Sequence, residues 1–300
     1  MSKKKIVIIT GTGGPLGTGH LQRMLTLAAE IDRRGEFNLS ILTNNKELIP
    51  SHFRSRAVTS LPERCSLIIK DRRDSSETEM LELKAKAPVI AVDDTGPGRS
   101  RADYILDLLP NPENRLSPQF QREDFFLYGY NFTRDITAAV NKTVEKFIDI
   151  TIYTGADPSP QTGEYLKKII PGNTDTVRLT GNCPQNFLTG KPVYNNLNYA
   201  EILLSSKILI TYFGITLFEG CLCGCSLFTV NPSEYHRTLT SMVSSSMNII
   251  DSEDLSVKDA EAHLKKTINE CGITIPSEQT ITSSITCGPE NFYTLIKSII

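Results

Sequence analysis

The sequence contains no long hydrophobic run and no sustained stretch of basic residues. Its N-terminal apolar segment covers only residues 6–9, whereas a signal peptide needs roughly 7–15 apolar residues and a membrane-spanning helix about 20. The 32 basic and 34 acidic side chains leave a net charge of -2, which provides no electrostatic footprint for nucleic acid. We therefore expect a chain with no integral membrane segment and no nucleic-acid partner.

Cysteine pairs with metal-binding spacing are also missing. The seven cysteines include no Cys-x-x-Cys pair, and they are an odd number in a chain without a secretory signal, which favours reduced thiols and a cytoplasmic location. Cys221, Cys223 and Cys225 alternate across a predicted helix end, where residues two apart point in different directions. We expect small buried side chains there and no metal site.

The clearest pattern lies at residues 6–34, where a short apolar strand leads into a glycine-rich loop and then a helix. The glycines of residues 11–19 let a ligand approach the backbone closely, and the free N–H groups of the following helix suit phosphate. The apolar spacing from Leu21 predicts a helix that stops at Gly35. His20 opens this helix, where the dipole favours a neutral imidazole that can take a proton from water or an alcohol.

The length of 300 residues fits two domains of about 150 residues each. Strands alternate with helical segments in both halves, which predicts doubly wound, mostly parallel sheets with ligands at the carboxyl ends of the strands. The pattern weakens at residues 110–146, so we place the domains at residues 1–135 and 136–300. Strands are predicted at 6–9, 39–43, 66–70, 88–92 and 104–108, then at 148–153, 176–180, 207–211 and 227–230, and the last helix at 289–298.

Two common interpretations of a glycine-rich loop are disfavoured. Residues 12–19 match the Thr-Gly-x-x-x-Gly-x-Gly fingerprint of short-chain dehydrogenases, but the second strand ends in Thr43-Asn44-Asn45, with no acid to bind a cofactor ribose. A P-loop needs Gly-Lys-Ser/Thr after the loop, and the chain has Gly19-His20-Leu21 instead. Neither nicotinamide chemistry nor P-loop nucleotide hydrolysis is therefore expected.

Residues 17–28 follow the pattern Gly-x-Gly-His-x-x-Arg-x-x-x-Leu-Ala. This resembles a motif of the UDP-sugar hydrolase of pseudaminic acid biosynthesis and of its spore-coat polysaccharide relatives, which belong to the GT-B superfamily. Further segments are similar to motifs of that family and occur in the same order: residues 89–94 with Ala102-Asp103, residues 154–158, and residues 214–219 with Cys221 and Gly224.

The resemblance implies a GT-B fold, with two Rossmann-like doubly wound domains and an inter-domain cleft. It implies that the C-terminal domain holds the nucleotide, that His20 activates water at the anomeric carbon, and that Glu219 binds the ribose hydroxyls. The helix opened by Gly214 can neutralise a diphosphate without a metal, and we expect no cofactor. The candidate binding residues are Gly17, Gly19, Arg23, Arg72, Asp93, Gly155, Ala156, Asp157, Gly214, Ile215 and Thr216, with Asp94 as a second catalytic candidate.

Each assignment has a structural alternative that the sequence leaves open. A histidine after a glycine loop can cap its helix or pack beneath it, and paired acids after a strand often cap the next turn. A helix glutamate can be solvated, although the apolar neighbours of Glu219 disfavour this. Arg23 can lie on the helix surface, and Arg72 with Arg73 can form a charged loop rather than hold a phosphate.

The chain also departs from the family pattern. Asp71-Arg72-Arg73 stands where the hydrolase has a tyrosine after the aspartate, and Thr154 replaces the first glycine of Gly-Gly-Ser-Asp. Phe213 and Ile215 replace a glycine and the serine of Gly-Gly-Ser-Thr. These changes affect the sugar pocket and the phosphate cradle, and they leave the architecture unchanged.

We expect a cytoplasmic hydrolase of a nucleotide-sugar, of the UDP-sugar type, in surface-polysaccharide or nonulosonic acid type sugar biosynthesis. If a sugar hydroxyl replaces water as the acceptor, the enzyme is a metal-independent glycosyltransferase, and His20 is the base in both cases. A third alternative is a nucleotide-sugar-binding protein whose altered loops do not support turnover. The sequence does not predict the sugar or the oligomeric state.

Overall fold

A computed structural model describes residues 3–12, 17–112, 117–120, 122–143, 145–155, 160–180, 183–187, 189, 192–270 and 275–300. The chain divides into two compact units, the first comprising Met1–Tyr130 and Ile285–Ile300 and the second Asn131–Ser284. Each unit contains its own six-stranded sheet, as expected for two Rossmann-like domains. The division differs from the predicted one mainly in residues 285–300, which belong to the first unit.

The sheet of the first unit is parallel throughout and doubly wound. Its strands are β1 (Lys5–Thr10), β2 (Asn38–Thr43), β3 (Ala57–Val58), β4 (Leu67–Asp71), β5 (Val89–Val92) and β6 (Tyr104–Leu106). They lie in the order β3-β2-β1-β4-β5-β6, so the direction of winding reverses between β1 and β4. The helices of this unit include α1 (Gly19–Arg34), α2 (Glu77–Lys84) and α3 (Arg122–Phe125).

Strand β1 is apolar on both faces because helices cover both sides of the sheet. Ile6 and Ile8 pack in one cluster with the apolar face of α1. Val7 and Ile9 point the other way and pack in a second cluster with Met80 of α2. This two-sided burial explains why the strand appears in the sequence as a continuous apolar run rather than as an alternating pattern.

The second unit repeats the same winding. Its strands are β7 (Ile148–Tyr153), β8 (Thr176–Thr180), β9 (Cys183–Asn186), β10 (Ser206–Thr211), β11 (Ser226–Thr229) and β12 (Ile249–Asp251). They lie in the order β12-β11-β10-β7-β8-β9, and β9 alone runs antiparallel to its neighbour. The helices are α4 (Tyr130–Val140), α5 (Pro160–Ile169), α6 (Tyr199–Ser205), α7 (Ile215–Leu222), α8 (Glu234–Met247) and α9 (Val257–Glu270).

The last helix, α10 (Glu278–Ile299), starts in the second unit and ends in the first. The sequence predicts a start at Pro289, since proline is best tolerated in a first turn, but Pro289 lies inside the observed helix. Buried Ile281 extends the helix in the N-terminal direction, and Phe292 and Ile296 enter the core of the first unit beside α1. No helix in the described part of the chain, α10 included, is long and apolar enough to cross a membrane.

The strongly periodic elements lie where the sequence predicts them. Strands β7 and β8 have the predicted bounds, and α7 begins at the predicted Ile215. The strands that the sequence missed are β3, β9 and β12, which are two, four and three residues long. All three lie at sheet edges, and segments this short carry too little periodicity to be recognised.

Truncating Phe292 tests how α10 is anchored. Because this side chain is fully buried in the first core, Phe292→Ala should lower the free energy of unfolding by about 3–5 kcal/mol, through lost apolar burial and the cavity left behind. Thr294→Ala, at an exposed position of the same helix, should change it by no more than about 0.5 kcal/mol. Denaturant titration followed by circular dichroism measures both. Equal losses for the two variants would contradict anchoring through the buried face.

Candidate active site

The first candidate site lies where β1 and β4 end side by side. Ligands of open α/β sheets bind at this point of reversed winding, and Thr10 and Asp71 are paired in register as the last residues of the two strands. Helix α1 begins behind the glycine loop at Gly19, and residues 13–16 of that loop lie outside the described residues. Gly17 has a φ of +58°, a left-handed conformation that favours glycine.

His20 is oriented by a carboxylate on the neighbouring strand. The residue is 8% exposed, and its Nδ1 lies 2.7 Å from Oδ1 of Asp71. Burial alone would raise the pKa of Asp71, but Arg23 and His20 outweigh it and hold the pKa well below the usual range. Since an ionised carboxylate has no proton to donate, the proton of this contact belongs to Nδ1, so that a neutral imidazole in this position has its lone pair on Nε2.

Arg23 was predicted to bind substrate, and the structure instead buries it between two acids. It is 1% exposed, and its Nε and Nη2 donate to Oδ2 and Oδ1 of Asp71 at 2.7 and 2.5 Å. Its Nη1 lies 2.5 Å from Oδ2 of Asp93. Although burial alone would lower the pKa of Arg23, the two carboxylates raise it above the usual range. Arg23 therefore links α1 to the ends of β4 and β5.

Asp93 is held in an uncommon backbone conformation at the end of β5. Its φ is +47°, which is unfavourable for a residue with a side chain. Its N–H donates to the carbonyl of Leu106 at 3.0 Å, and its Oδ1 accepts the N–H groups of Leu108 and Leu109 at 2.7 and 3.0 Å. Burial raises the pKa of Asp93 despite the nearby Arg23. These bonds compensate for the strain and leave the second oxygen facing Arg23.

Asp94 has a different role from the catalytic one that was predicted. Its side chain is fully buried, and its Oδ1 accepts the N–H groups of Ser75 and Gly96 at 3.1 and 2.9 Å. Its Oδ2 accepts a hydrogen bond from the Ser75 hydroxyl and lies 3.4 Å from Nζ of Lys70. Because both oxygens have partners within the fold, we correct the prediction: Asp94 connects the loops that follow β4 and β5.

The charged side chains of residues 71–73, at the end of β4, lie in different environments. Asp71 joins His20 and Arg23, whereas the sequence suggested only that it opens a charged loop. Arg72, a predicted binding residue, is exposed. Arg73 is half-buried and interacts electrostatically with both acids of the site, and burial lowers its pKa. The role of Asp71 depends on β4 lying next to β1, which the local sequence does not reveal.

The second sheet has its own point of reversed winding, between β7 and β10. Gly155 follows β7 with a φ of +77°, and Tyr212 follows β10. The two loops are adjacent, since a Cβ atom on Gly155 would lie 4.0 Å from the Tyr212 ring. Ala156 and Asp157, which were also predicted to bind the nucleotide, lie outside the described residues.

The start of α7 offers backbone donors to an anion. Gly214 precedes the helix and Ile215 and Thr216 open it, and all three are partly exposed. The N–H groups of a first turn have no acceptor within the helix, and this turn carries no acidic side chain. The N–H of Phe213, by contrast, donates to Oδ1 of Asn231 at 3.1 Å. The helix start is therefore suited to a phosphate group.

Glu219 lies one turn further along α7, and its burial excludes the solvated alternative. It is 3% exposed, and its Oε2 accepts the Tyr199 hydroxyl at 2.6 Å. The same hydroxyl lies 3.2 Å from Oγ1 of Thr216. Burial, reinforced by the Glu219 charge, raises the pKa of Tyr199 well above its usual value. No sequence pattern points to Tyr199, and ribose binding by Glu219 remains a prediction.

The geometry around the glycine loop disfavours dehydrogenase chemistry. Asn44, at the position of a ribose-binding acid, accepts the Thr12 N–H at 2.9 Å and donates to the Thr12 carbonyl at 2.7 Å. The chain contains a Tyr-x-x-x-Lys pair, Tyr293 and Lys297, of the kind that short-chain dehydrogenases use. This pair lies in α10, and Lys297 contacts Glu36 at 2.9 Å, just before β2 begins. The pair therefore lies near the amino ends of the parallel strands, whereas the glycine-rich loop follows the carboxyl end of β1.

The cysteine segment is mostly buried, as expected. Cys223 and Cys225 are buried, and Cys221 is exposed. Burial raises the pKa of the Cys223 thiol well above its usual value, which favours the protonated form that metals do not bind. Among the residues that the structure describes, no group of three or more histidine, cysteine or acidic side chains is placed to hold a metal ion.

Solved structures match the chain over almost its entire length, whereas no protein-family model and no curated protein matches it. The glycotransferase of kitacinnamycin has a TM-score of 0.60 at 11% identity, covering 99% of both chains. The spinosyn rhamnosyltransferase in complex with thymidine diphosphate has a TM-score of 0.61 at 11% identity, covering 98% of this chain and 100% of the other. An Arabidopsis thaliana protein in complex with UDP-L-rhamnose has a TM-score of 0.53 at 11% identity, covering 100% of both chains. The predicted GT-B fold is confirmed.

The Asp71 carboxylate should contribute to stability in a pH-dependent way. Its pKa is lower in the folded protein than in the unfolded chain, so its contribution is present above about pH 4, the unfolded value, and is lost as the pH falls towards the folded value. Asp71→Asn, which leaves the buried Arg23 with one acid fewer, should lower the free energy of unfolding by about 3–5 kcal/mol at pH 7. Denaturant titrations at pH 7 and pH 3 should show the difference from wild type shrinking in acid.

A matched acidic residue serves as the control for this comparison. Glu77 pairs with Arg101 in an exposed contact of the same unit, so Glu77→Gln should cost no more than about 1 kcal/mol. An Asp71→Asn effect as small as that of Glu77→Gln would contradict the buried ion pair.

Proposed function

We propose that the protein is a glycosyltransferase that cleaves the anomeric C–O bond of a nucleotide-sugar and transfers the sugar to a hydroxyl group. The observation that carries the proposal is the His20–Asp71 pair, in which the 2.7 Å contact at Nδ1 leaves Nε2 available to accept a proton. The fold is shared with a glycotransferase and a rhamnosyltransferase, which makes this chemistry a suitable hypothesis for the site.

The first unit is proposed to supply the base. An acceptor hydroxyl is a weak nucleophile at neutral pH, and removing its proton as the new bond forms typically accelerates a reaction by about 10²–10⁴-fold. His20 suits this role because Asp71 fixes the ring and stabilises the imidazolium that forms. The group that loses its proton would lie within hydrogen-bonding distance of Nε2.

The second unit is proposed to bind the diphosphate. The partly exposed Gly214, Ile215 and Thr216 present first-turn N–H groups, which stabilise the negative charge that develops on the leaving group. The bulky Phe213 and Ile215, which depart from the family pattern, do not remove these donors, because the donors belong to the backbone. Glu219 and Tyr199 lie beneath the same turn and would support its position.

In the proposed reaction the acceptor oxygen attacks the anomeric carbon. A C–O bond forms there, and the bond between that carbon and the phosphate oxygen breaks. The electron pair of the broken bond leaves with the nucleoside diphosphate, and the acceptor proton moves to Nε2 of His20. The products are a glycoside and a nucleoside diphosphate, and the imidazolium then returns its proton to solvent.

Two nucleotides deserve testing first. Complexes of similar structures contain thymidine diphosphate in one case and UDP-L-rhamnose in another. We propose a pyrimidine nucleoside diphosphate sugar as the donor, with UDP-sugars first because the sequence motifs resemble those of a UDP-sugar hydrolase.

Hydrolysis is the second candidate function. It is favoured by residues 17–28, whose Gly-x-Gly-His-x-x-Arg pattern resembles that of the hydrolase. Water would then replace the acceptor hydroxyl, and the role of His20 would be unchanged. Incubation with UDP- and TDP-sugars, with and without acceptor sugars, distinguishes the candidates: transferred sugar supports the transferase, free sugar the hydrolase, and binding without turnover overturns both.

Replacing the proposed base should lower the rate without weakening donor binding. With the substrate found in this panel, His20→Ala should reduce kcat at least a hundredfold, the usual size of a general-base effect. The affinity for the nucleoside diphosphate, measured by calorimetry, should change less than threefold because the diphosphate site lies on α7. His263→Ala, on α9, should retain wild-type kcat. A parallel loss of rate and affinity in His20→Ala would assign the residue to binding.

Removing one backbone donor tests the diphosphate site. Ile215→Pro places proline at the first helical position, where helices tolerate it, and removes one N–H group. Since a hydrogen bond to a charged group is worth about 1.5–3 kcal/mol, UDP or TDP affinity should fall roughly 10- to 100-fold. Ile215→Ala, which keeps the N–H group, is the matched control and should bind normally. Equal affinity of the two variants would place the diphosphate elsewhere.

A further inference from the structure

Glu219 is closed off from solvent on a helix whose first turn is exposed. The residues that open α7, 214–216, are partly exposed, whereas Glu219, one turn further along, is 3% exposed. Its Oε2 accepts the hydroxyl of Tyr199 at 2.6 Å. Ribose binding, which the family resemblance implies for Glu219, requires carboxylate oxygens that face a ligand. The burial and the Tyr199 contact both disfavour it.

We infer that Glu219 is a positioning residue for the diphosphate-binding first turn of α7, on which it acts through Tyr199 and Thr216, and not a ligand of the ribose. The inference rests on the proposed function for the diphosphate itself. The anchoring of the turn can nevertheless be measured without any ligand.

The side chains of Thr216, Tyr199 and Glu219 form a directed chain of hydrogen bonds. Burial and the Glu219 charge raise the pKa of Tyr199 well above its usual value, so its hydroxyl keeps its proton at neutral pH. A phenol has one proton to donate, and the shorter contact, 2.6 Å to Oε2 of Glu219, takes it. At the second contact, 3.2 Å from Oγ1 of Thr216, the Tyr199 oxygen is therefore the acceptor and the Thr216 hydroxyl donates.

Tyr199 is itself well anchored. It is the first residue of α6, whose start is fixed by a capping box between Asn198 and Glu201. Its ring packs against the buried cluster that contains Ile148 and Val177. The hydroxyl therefore ties the first turn of α7 to a neighbouring helix of the same unit.

This arrangement gives the side chain and the backbone of Thr216 different partners. The hydroxyl proton is directed to Tyr199, so the side chain has no proton left for a phosphate oxygen. The backbone N–H belongs to a first turn, where N–H groups have no acceptor within the helix. The diphosphate would thus be bound by backbone donors alone. Since a negative charge one turn from these donors disfavours an anion, Glu219 contributes through its acceptor oxygen rather than through its charge.

Four probes distinguish the two roles of Glu219 by calorimetry: UDP, 2′-deoxy-UDP, uridine and inorganic pyrophosphate. Glu219→Ala removes the acceptor of the chain, so the affinities for UDP, 2′-deoxy-UDP and pyrophosphate should all fall about tenfold, the effect of one lost hydrogen bond. The affinity for uridine should change less than about threefold. A ribose ligand would give a different pattern, with losses for UDP and uridine and none for pyrophosphate.

Glu219→Gln is the conservative rescue variant. It keeps an oxygen that accepts the Tyr199 hydroxyl and removes the charge, so it should bind UDP and pyrophosphate at least as tightly as the wild type. Tyr199→Phe interrupts the chain and should reproduce the losses of Glu219→Ala. The two changes combined should lose no more than either alone, because the residues act as one unit. As the control, Tyr165→Phe removes a hydroxyl that donates to the Ser252 carbonyl at 3.5 Å in the same unit, and it should leave all four affinities unchanged.

Amide hydrogen exchange measures the anchoring without a ligand. The N–H of Leu217 donates to the Gly214 carbonyl at 3.1 Å and closes the first turn. In Tyr199→Phe and Glu219→Ala this amide should exchange at least about threefold faster than in the wild type, because the turn opens more often. In Glu219→Gln and Tyr165→Phe it should exchange at the wild-type rate.

Several results would overturn the inference. They are unchanged Leu217 exchange in Tyr199→Phe and Glu219→Ala, the ribose pattern of affinities, and a Glu219→Gln variant that binds as weakly as Glu219→Ala. If Glu219→Ala does not fold, Tyr199→Phe and Glu219→Gln still decide. The ribose pattern in a protein that turns over a nucleotide-sugar would refute the positioning role and retain the proposed function. Faster Leu217 exchange in a protein that binds neither UDP nor pyrophosphate would refute the proposed function, while the anchoring of α7 would stand.

Discussion

The buried ion pair between Arg23 and Asp71 is the interaction on which the first site depends. A charge without a partner costs several kcal/mol to bury, so neither residue is stable there without the other. The guanidinium meets Asp71 through two parallel hydrogen bonds, an arrangement that fixes direction as well as distance. Because His20 lies three residues earlier on the same face of α1, fixing Arg23 also fixes the imidazole relative to the end of β4.

The same requirement explains why neighbouring acids after β5 have separate tasks. Asp93 has a left-handed backbone conformation, and the carboxylates of Asp93 and Asp94 have different partners. The Asp93 carboxylate is a second anionic partner of Arg23, and the Asp94 carboxylate accepts hydrogen bonds from Ser75 and Gly96 in the adjoining loops. Two adjacent acidic residues in a sequence suggest a shared chemical role, but here the two side chains have separate partners.

Much of the fold could be predicted from the sequence because its central strands and long helices carry strong periodicity. The short edge strands could not be predicted. The predicted last helix is shorter than α10, because a proline such as Pro289 is typical of the first turn of a helix. At the site, His20 and the start of α7 are visible locally, as a histidine after glycines and a glycine before a helix. Asp71 and Tyr199 are not, because each acquires its role from an element distant in sequence: β1 beside β4 for one, and α6 beside α7 for the other.

The two units show how one topology supports different chemistry. Both sheets reverse their winding at the centre, and both place a helix start at that point. In the first unit the carboxylates of Asp71 and Asp93 both pair with the buried Arg23, beside the imidazole of His20. In the second, the first turn of α7 has no acidic side chain and its acid, Glu219, is buried against Tyr199. An anion is therefore favoured at α7, whereas the reaction that we propose places the acceptor hydroxyl beside His20 of the first unit.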